Sequence, residues 1–185
     1  MNISATLNAL RLIYNPKLCR PQLTIGTFNE LPVPVGPHIK AIVLDKDNCF
    51  AYPYENNVWP EYSSKWEDLK KEYPDNRLLI VSNSAGSSDD IGYKEASMLE
   101  KTTGVPVLRH TVKKPGCGKE ILEHFYGKNI IDHPSQIAVV GDRLFTDMIM
   151  ANSMGSRGIW VKEGVKLSTS LICKFEKSLY KYFDF

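Results

Sequence analysis

The sequence has no uninterrupted apolar run beyond a handful of residues, which predicts no transmembrane helix. It has no Cys-x-x-Cys pair: Cys19, Cys49, Cys117 and Cys173 are separated by 30, 68 and 56 residues. That spacing excludes the common zinc sites and argues against a disulfide framework; four unpaired thiols fit a reducing compartment. There is no secretory apolar segment, no internal repeat and no low-complexity tract. Nor is there an excess of one charge: the net is +2, too small to argue for nucleic acid as a partner. The excess is also local. Residues 1–37 carry Arg11, Lys17 and Arg20 against Glu30, while the other 148 residues balance 20 basic against 20 acidic groups. What is present is an ordinary globular composition, 43% hydrophobic and 24% charged over 185 residues, enough to bury a core without staples.

Leu31-Pro32-Val33-Pro34-Val35-Gly36-Pro37 cannot be helical and reads as a stiff linker, so the expected organisation is a segment at 1–37 and a domain at 38–185. Beyond it, apolar runs of strand length recur at Ile39–Leu44, Leu78–Val81, Val105–Leu108, Ile137–Val140 and Ile159–Val161. Helix-compatible stretches lie between and after them, at Glu61–Tyr73, Ile91–Thr103, Lys119–Tyr126, Thr146–Met154 and Ser168–Phe183. This alternation predicts an α/β fold, a doubly wound, Rossmann-like parallel sheet, whose chemistry sits at the carboxyl ends of the strands.

The residues after each run carry that chemistry. Asp45-Lys46-Asp47-Asn48-Cys49 follows the first, Ser82-Asn83-Ser84 the second, Lys113-Lys114-Pro115-Gly116 the third, and Gly141-Asp142-Arg143-Leu144-Phe145-Thr146-Asp147 the fourth. Alone, an Asp-x-Asp is more often a solvated turn, and a Ser-Asn after a strand more often a cap. Together and in order they converge on one crevice. Clustered carboxylates repel unless a cation sits among them, and hard oxygen ligands suit Mg²⁺. A carboxylate is also a nucleophile toward phosphorus, and the charge of phosphoryl transfer is neutralised by hydroxyl, amide and lysine groups.

These four motifs, spanning roughly Ile39–Val161, resemble the haloacid dehalogenase (HAD) superfamily of Mg²⁺-dependent phosphatases. The resemblance implies Asp45 as nucleophile and Asp47 as the acid that protonates the leaving group and later activates water. It implies Ser82, with Asn83, as a phosphoryl-binding group and Lys114 as the charge-stabilising lysine. Asp142 is implied as a metal ligand with Asp45 and the Asp47 backbone carbonyl, and Asp147 as their support from behind. Cys49 and Lys46 depart from the usual pattern, where Thr or Val and an apolar residue are common. The stretches Asp45–Cys49, Leu108–Cys117 and Gly141–Asp147 are similar to those of the fungal mitochondrial phosphatidylglycerophosphate phosphatases. That likeness implies removal of a terminal phosphate from a phospholipid in cardiolipin synthesis, by a peripheral protein on the matrix side of the inner mitochondrial membrane.

Spacing bears on access. Asp45 to Ser82 spans 37 residues and Ser82 to Lys114 spans 32, each consumed by one helix and one strand. No large cap domain fits, so the site is expected to be open, which admits a phosphate carried on a bilayer lipid. A phosphatase of soluble esters or phosphoproteins would share every catalytic residue. A phospho-acceptor module would not, because the order of motifs differs and Asp47 supplies an acid/base that such modules lack. Ile3, Leu7, Leu10, Ile13 and Tyr14 fall on one helical face without acids, which suits a membrane interface, a targeting segment or a helix packed on the domain. Leu171, Phe175, Leu179 and Phe183 form a second stripe, expected to cover the sheet. Arg109 and His110 precede Lys114 in its loop and have no assigned role.

Overall fold

The computed structural model describes residues 15–167 and 171–182, the side chains of Leu171, Ile172 and Leu179 excepted. The face Ile3–Tyr14 and the end of the last stripe, Phe183, lie outside the described residues. Five parallel strands form one sheet: β1 (Leu23–Ile25), β2 (Ala41–Leu44), β3 (Leu78–Ile80), β4 (Ile137–Gly141) and β5 (Arg157–Val161), in the order β1-β5-β4-β2-β3. The described helices are α1 (Ser63–Glu72), α2 (Lys94–Thr103), α3 (Gly118–Gly127), α4 (Ile149–Met154) and α5 (Leu171–Tyr182).

The period of two along a strand explains the layers. All four residues of β2 are buried. Ile42 and Leu44 point to one side, where Trp66 and Leu69 of α1 and Ala96 and Leu99 of α2 close over them. Ala41 and Val43 point to the other, against Ile121 and Phe125 of α3 and Met150 and Ala151 of α4. Sequence chemistry sets the helix ends. The Asp90 carboxylate accepts from the amides of Glu95 and Ala96 (3.0 and 2.9 Å) and starts α2; Gly104, at φ 71°, stops it. Only one helix-bearing crossover joins β2 to β3, so no cap domain is inserted there.

The structure departs from the sequence reading in three places. Val105–Leu108 makes a single bridge, Ile80 to Val107, rather than a strand. Pro106 has no N–H to donate, and the Val107 amide is taken by the Glu100 carboxylate at 2.8 Å. The fifth strand is instead Leu23–Ile25, paired with β5. It carries only three residues, two of them half-exposed, so it leaves no continuous apolar run. Residues 15–37 accordingly do not form a free linker. Cys19, Phe28, Leu31 and Val35 are buried, and Val35 N donates to the Tyr73 hydroxyl at 2.9 Å. The boundary read at residue 37 falls within one packed body. Finally, α5 buries Cys173 and Glu176 and packs Tyr180 on Trp160 (centroids 4.8 Å apart), while Phe175 of the expected stripe is exposed. Phe175 is the one member of that stripe whose side chain is described, and beside it Glu176 is drawn in by Arg143 and the Phe145 amide.

Candidate active site

Each strand delivers its motif to the same edge. Asp45, directly after β2, is almost fully buried and its Oδ1 accepts from Lys114 Nζ at 2.6 Å. The same ammonium donates to Asp147 Oδ1 at 2.7 Å. The other Asp147 oxygen accepts from the Arg143 amide at 3.1 Å. Asp147 reaches this position through a π-helical turn, Leu144–Met148, and over Gly141, where any Cβ would collide with its carboxylate. Asp142 is held from two sides: Asn48 Nδ2 donates to its Oδ2 at 3.1 Å, and the Trp160 indole donates to its backbone carbonyl at 2.9 Å. Carboxylate oxygens of Asp45, Asp142 and Asp147 all lie within 4.8 Å of one another, a cluster compatible with a metal ion.

The electrostatics follow from this crowding. Burial, opposed by Lys114 and reinforced by Asp147, pushes the Asp45 carboxyl up to about 6. Burial and the neighbouring Asp45 and Asp147 charges push Asp142 well above the usual carboxylate range. Burial alone would press Lys114 down; Asp147 and Asp45 outweigh it and hold the ammonium above the ordinary lysine range. Two carboxyls that resist ionisation, beside one lysine that cannot neutralise all three, form a set that calls for a further cation.

Asp47 sits at the mouth. Its Oδ1 accepts from Lys46 Nζ (2.6 Å) and from the Tyr54 amide (2.8 Å), and its Oδ2 from Ser84 Oγ (3.3 Å). Lys46 is itself buried and donates also to the Glu55 carbonyl at 2.9 Å. Asp45, Asp47, Asn83, Lys114 and Asp142 line one cavity of about 530 Å³, with Arg143 and Lys166 farther out. Ser82 is placed differently from the rest. It is fully buried behind the cavity, its hydroxyl 3.0 Å from that of Ser84. Asn83 fixes the neighbouring loop by accepting from the Lys114 amide at 2.7 Å. His110 ties the same loops together, its ring nitrogens lying against the Val112 and Ser82 carbonyls (2.8 and 2.9 Å). Arg109 turns away to pair with Glu100.

Sequence reasoning missed Asn48, Ser84 and the inward aim of Lys46. Asn48 and Ser84 lie inside motifs that were singled out, so position in the motif was the available signal. For Lys46, only its unusual residue type pointed anywhere.

Comparison with known proteins shows the family. The profile of a family described as mitochondrial PGP phosphatase matches residues 3–166. The chain is 56% identical over 185 residues to the mitochondrial phosphatidylglycerophosphatase GEP4 of Saccharomyces cerevisiae, covering 100% of both chains. It is 33% identical over 195 residues to a protein of Schizosaccharomyces pombe named a probable mitochondrial phosphatidylglycerophosphatase, covering 98% of this chain and 92% of that one. A chloroplastic/mitochondrial phosphatidylglycerophosphate phosphatase 1 of Arabidopsis thaliana is 37% identical over 118 residues, 63% of this chain and 32% of that one.

Proposed function

The chain belongs to the mitochondrial PGP phosphatase family, and from that premise we propose that it hydrolyses phosphatidylglycerophosphate to phosphatidylglycerol and phosphate, in the supply of cardiolipin. The observation that carries the mechanism is the placement of Asp45 and Asp47 at one strand end, where both line an open cavity and Asp45 is ion-paired with the buried Lys114. The Asp45 oxygen not held by Lys114 attacks phosphorus as the bond to the glycerol oxygen breaks, leaving the phosphoryl group on Asp45. Asp47 gives its proton to the departing glycerol oxygen. It then takes a proton from the water that attacks the phosphoryl group, and phosphate leaves with Asp45 restored. Lys114 and Asn83, which line the cavity, face the charge that spreads over the phosphoryl oxygens, with Ser82 behind them.

The donor set fits Mg²⁺: hard oxygens, crowded, with carboxyls held above their usual range by burial and by each other. Asp45, Asp142 and the Asp47 carbonyl would hold it, and the ion would supply charge neutralisation. Asp147 is already engaged by Lys114 and the Arg143 amide, which suits a supporting role. We assign residues 1–14 to membrane contact or targeting, and the protein to the matrix face of the inner membrane; residues 15–37 belong to the fold.

Phosphate release from phosphatidylglycerophosphate in detergent micelles, set against a soluble aryl phosphate, tests the reading. Wild type should release phosphate from both, Asp45→Asn from neither, and a chelator should stop both. Release from the aryl ester alone would overturn the lipid substrate; turnover by Asp45→Asn would overturn the covalent route.

A further inference from the structure

The loops at the carboxyl edge carry large apolar side chains in the open. Tyr54, in the loop after β2, is 93% exposed; Ile91, in the loop after β3, 86%; Leu167, after β5, 68%. Val112, in the Lys114 loop, and Phe175, near the start of α5, are exposed as well. They come from five separate segments, all of which follow strand ends on the carboxyl edge. Tyr54 and Leu167 line the cavity with Asp45. Val112 stands in the loop of Lys114, which lines it too, and Phe175 packs its ring on Phe145, next to the lining Thr146 (centroids 6.0 Å apart). Ile91 lies two residues from Asp89, whose ion pair with Lys113 joins its loop to the Lys114 loop. The turns at the opposite edge, Pro74–Asn76, Gly104–Pro106, Asn129–Gln136 and Gly155–Ser156, carry no large exposed apolar side chain; Met98, Tyr126 and Tyr182 are exposed singly on the helices.

Tyr54 and Tyr93 also hold left-handed backbone, at φ 70° and 55°, a conformation that bulky residues seldom adopt. Among the described residues no acid pairs with Lys166, whose ammonium instead meets the Tyr52 hydroxyl and ring at the cavity wall. Separate apolar points around a mouth, with a cation among them, match a surface of acyl chains capped by anionic headgroups.

We propose that this carboxyl-edge rim is a membrane-docking face, which seats an anionic lipid bilayer directly over the catalytic cavity. It rests on the lipid substrate proposed above and adds where the bilayer lies. Each apolar tip enters the headgroup region while the phosphate of a lipid in the layer reaches Asp45, so that the lipid need not leave the membrane. The contact belongs to the folded domain and is separate from any made by residues 1–14.

The test is co-sedimentation of the full-length protein with vesicles of equal parts phosphatidylcholine and phosphatidylglycerol. Ile91→Ser/Val112→Ser should bind roughly tenfold more weakly, the loss that follows from keeping two large apolar groups out of the interface. Its rate on a soluble aryl phosphate should be unchanged. Ile91→Glu alone, at a site with little contact to lose, should weaken binding in the same direction. Tyr126→Ser, at the far end of α3, should bind as wild type does. Unchanged vesicle binding by the Ile91 variants, or equal loss in Tyr126→Ser, overturns the docking face. Micelle hydrolysis reports the substrate separately: binding lost with hydrolysis retained supports the face, and absence of lipid hydrolysis in a wild type that still binds vesicles removes the substrate and not the face.

Discussion

The two edges of the sheet are made from the same strands and hold opposite kinds of chemistry. At the amino edge, left-handed backbone falls on Asp75, Asn76, Asn129, Gly104 and Gly155, the residue types that adopt it at least cost. At the carboxyl edge it falls on Asn48, Tyr54 and Tyr93 as well as on glycines. The buried charges follow the same division. Among the described residues Asp45, Lys46, Asp90, Lys114, Asp147 and Glu176 are buried, and all contact carboxyl-edge loops. The amino-edge ion pair of Lys40 with Asp132 lies in solvent. One edge solves the problem of reversing the chain cheaply; the other accepts desolvated charge and unfavourable backbone to hold a reactive cluster.

The comparison can be broken by substitution. Asp47→Asn should slow turnover roughly 10²–10⁴-fold, measured as steady-state phosphate release, because one carboxyl acts as acid and then as base. Little change would move the proton to another donor. Lys114→Ala should cost roughly 10²–10³-fold in turnover. It should also cost stability, about 3–5 kcal/mol by denaturant melts, since Asp45 and Asp147 lose their shared cation. Lys113→Ala, which loses only the pair with Asp89 near the surface, should be far milder.

A third test uses pH. The folded Asp45 carboxyl, up to about 6, lies above its unfolded value near 3.9, so its contribution is full below that lower value and is lost as pH rises through the higher one. Thermal melts in chelator should therefore show metal-free protein losing up to about 3 kcal/mol between roughly pH 4 and pH 6. Asp142, also raised, extends the loss in the same direction. Asp45→Asn should flatten the slope, and saturating Mg²⁺ should do so in wild type. Asp90 is lowered by the three amides it caps, against its own burial, so its stabilising share is lost only on acidification below the ordinary carboxylate range. The smallest effect belongs to the amino edge: Lys40→Ala should change stability by less than about 1 kcal/mol and leave turnover untouched.

How legible each edge was follows from what shaped it. Strands β2 to β5 were visible as unbroken apolar runs because both faces are covered. Strand β1 was not, because three residues at a half-exposed edge need no such run, and Val105–Leu108 misled because Pro106 interrupts the ladder without lowering apolarity. At the site, the order of acids, hydroxyl and lysine along the chain was readable. The aim of Lys46 at Asp47, the Asn48 hold on Asp142 and the Ser82–Ser84 contact depend on side-chain direction, which motif spacing does not carry. The apolar rim was hidden for a further reason: its members are single residues in separate loops, with no periodicity to reveal them.

The pairing of β1 with β5 brings early and late parts of the chain side by side. Thr24 Oγ1 lies 3.1 Å from the Tyr180 hydroxyl, a contact across 156 positions, and Glu176 pins the turn that carries Asp147. A chain released amino end first, from a ribosome or a translocation pore, cannot pair its outer strand until β5 has emerged, nor fix that turn until the last helix has. Closing so long a loop is slow and comes late. The restraint on the turn that carries Asp147 is therefore complete only once the last helix has docked.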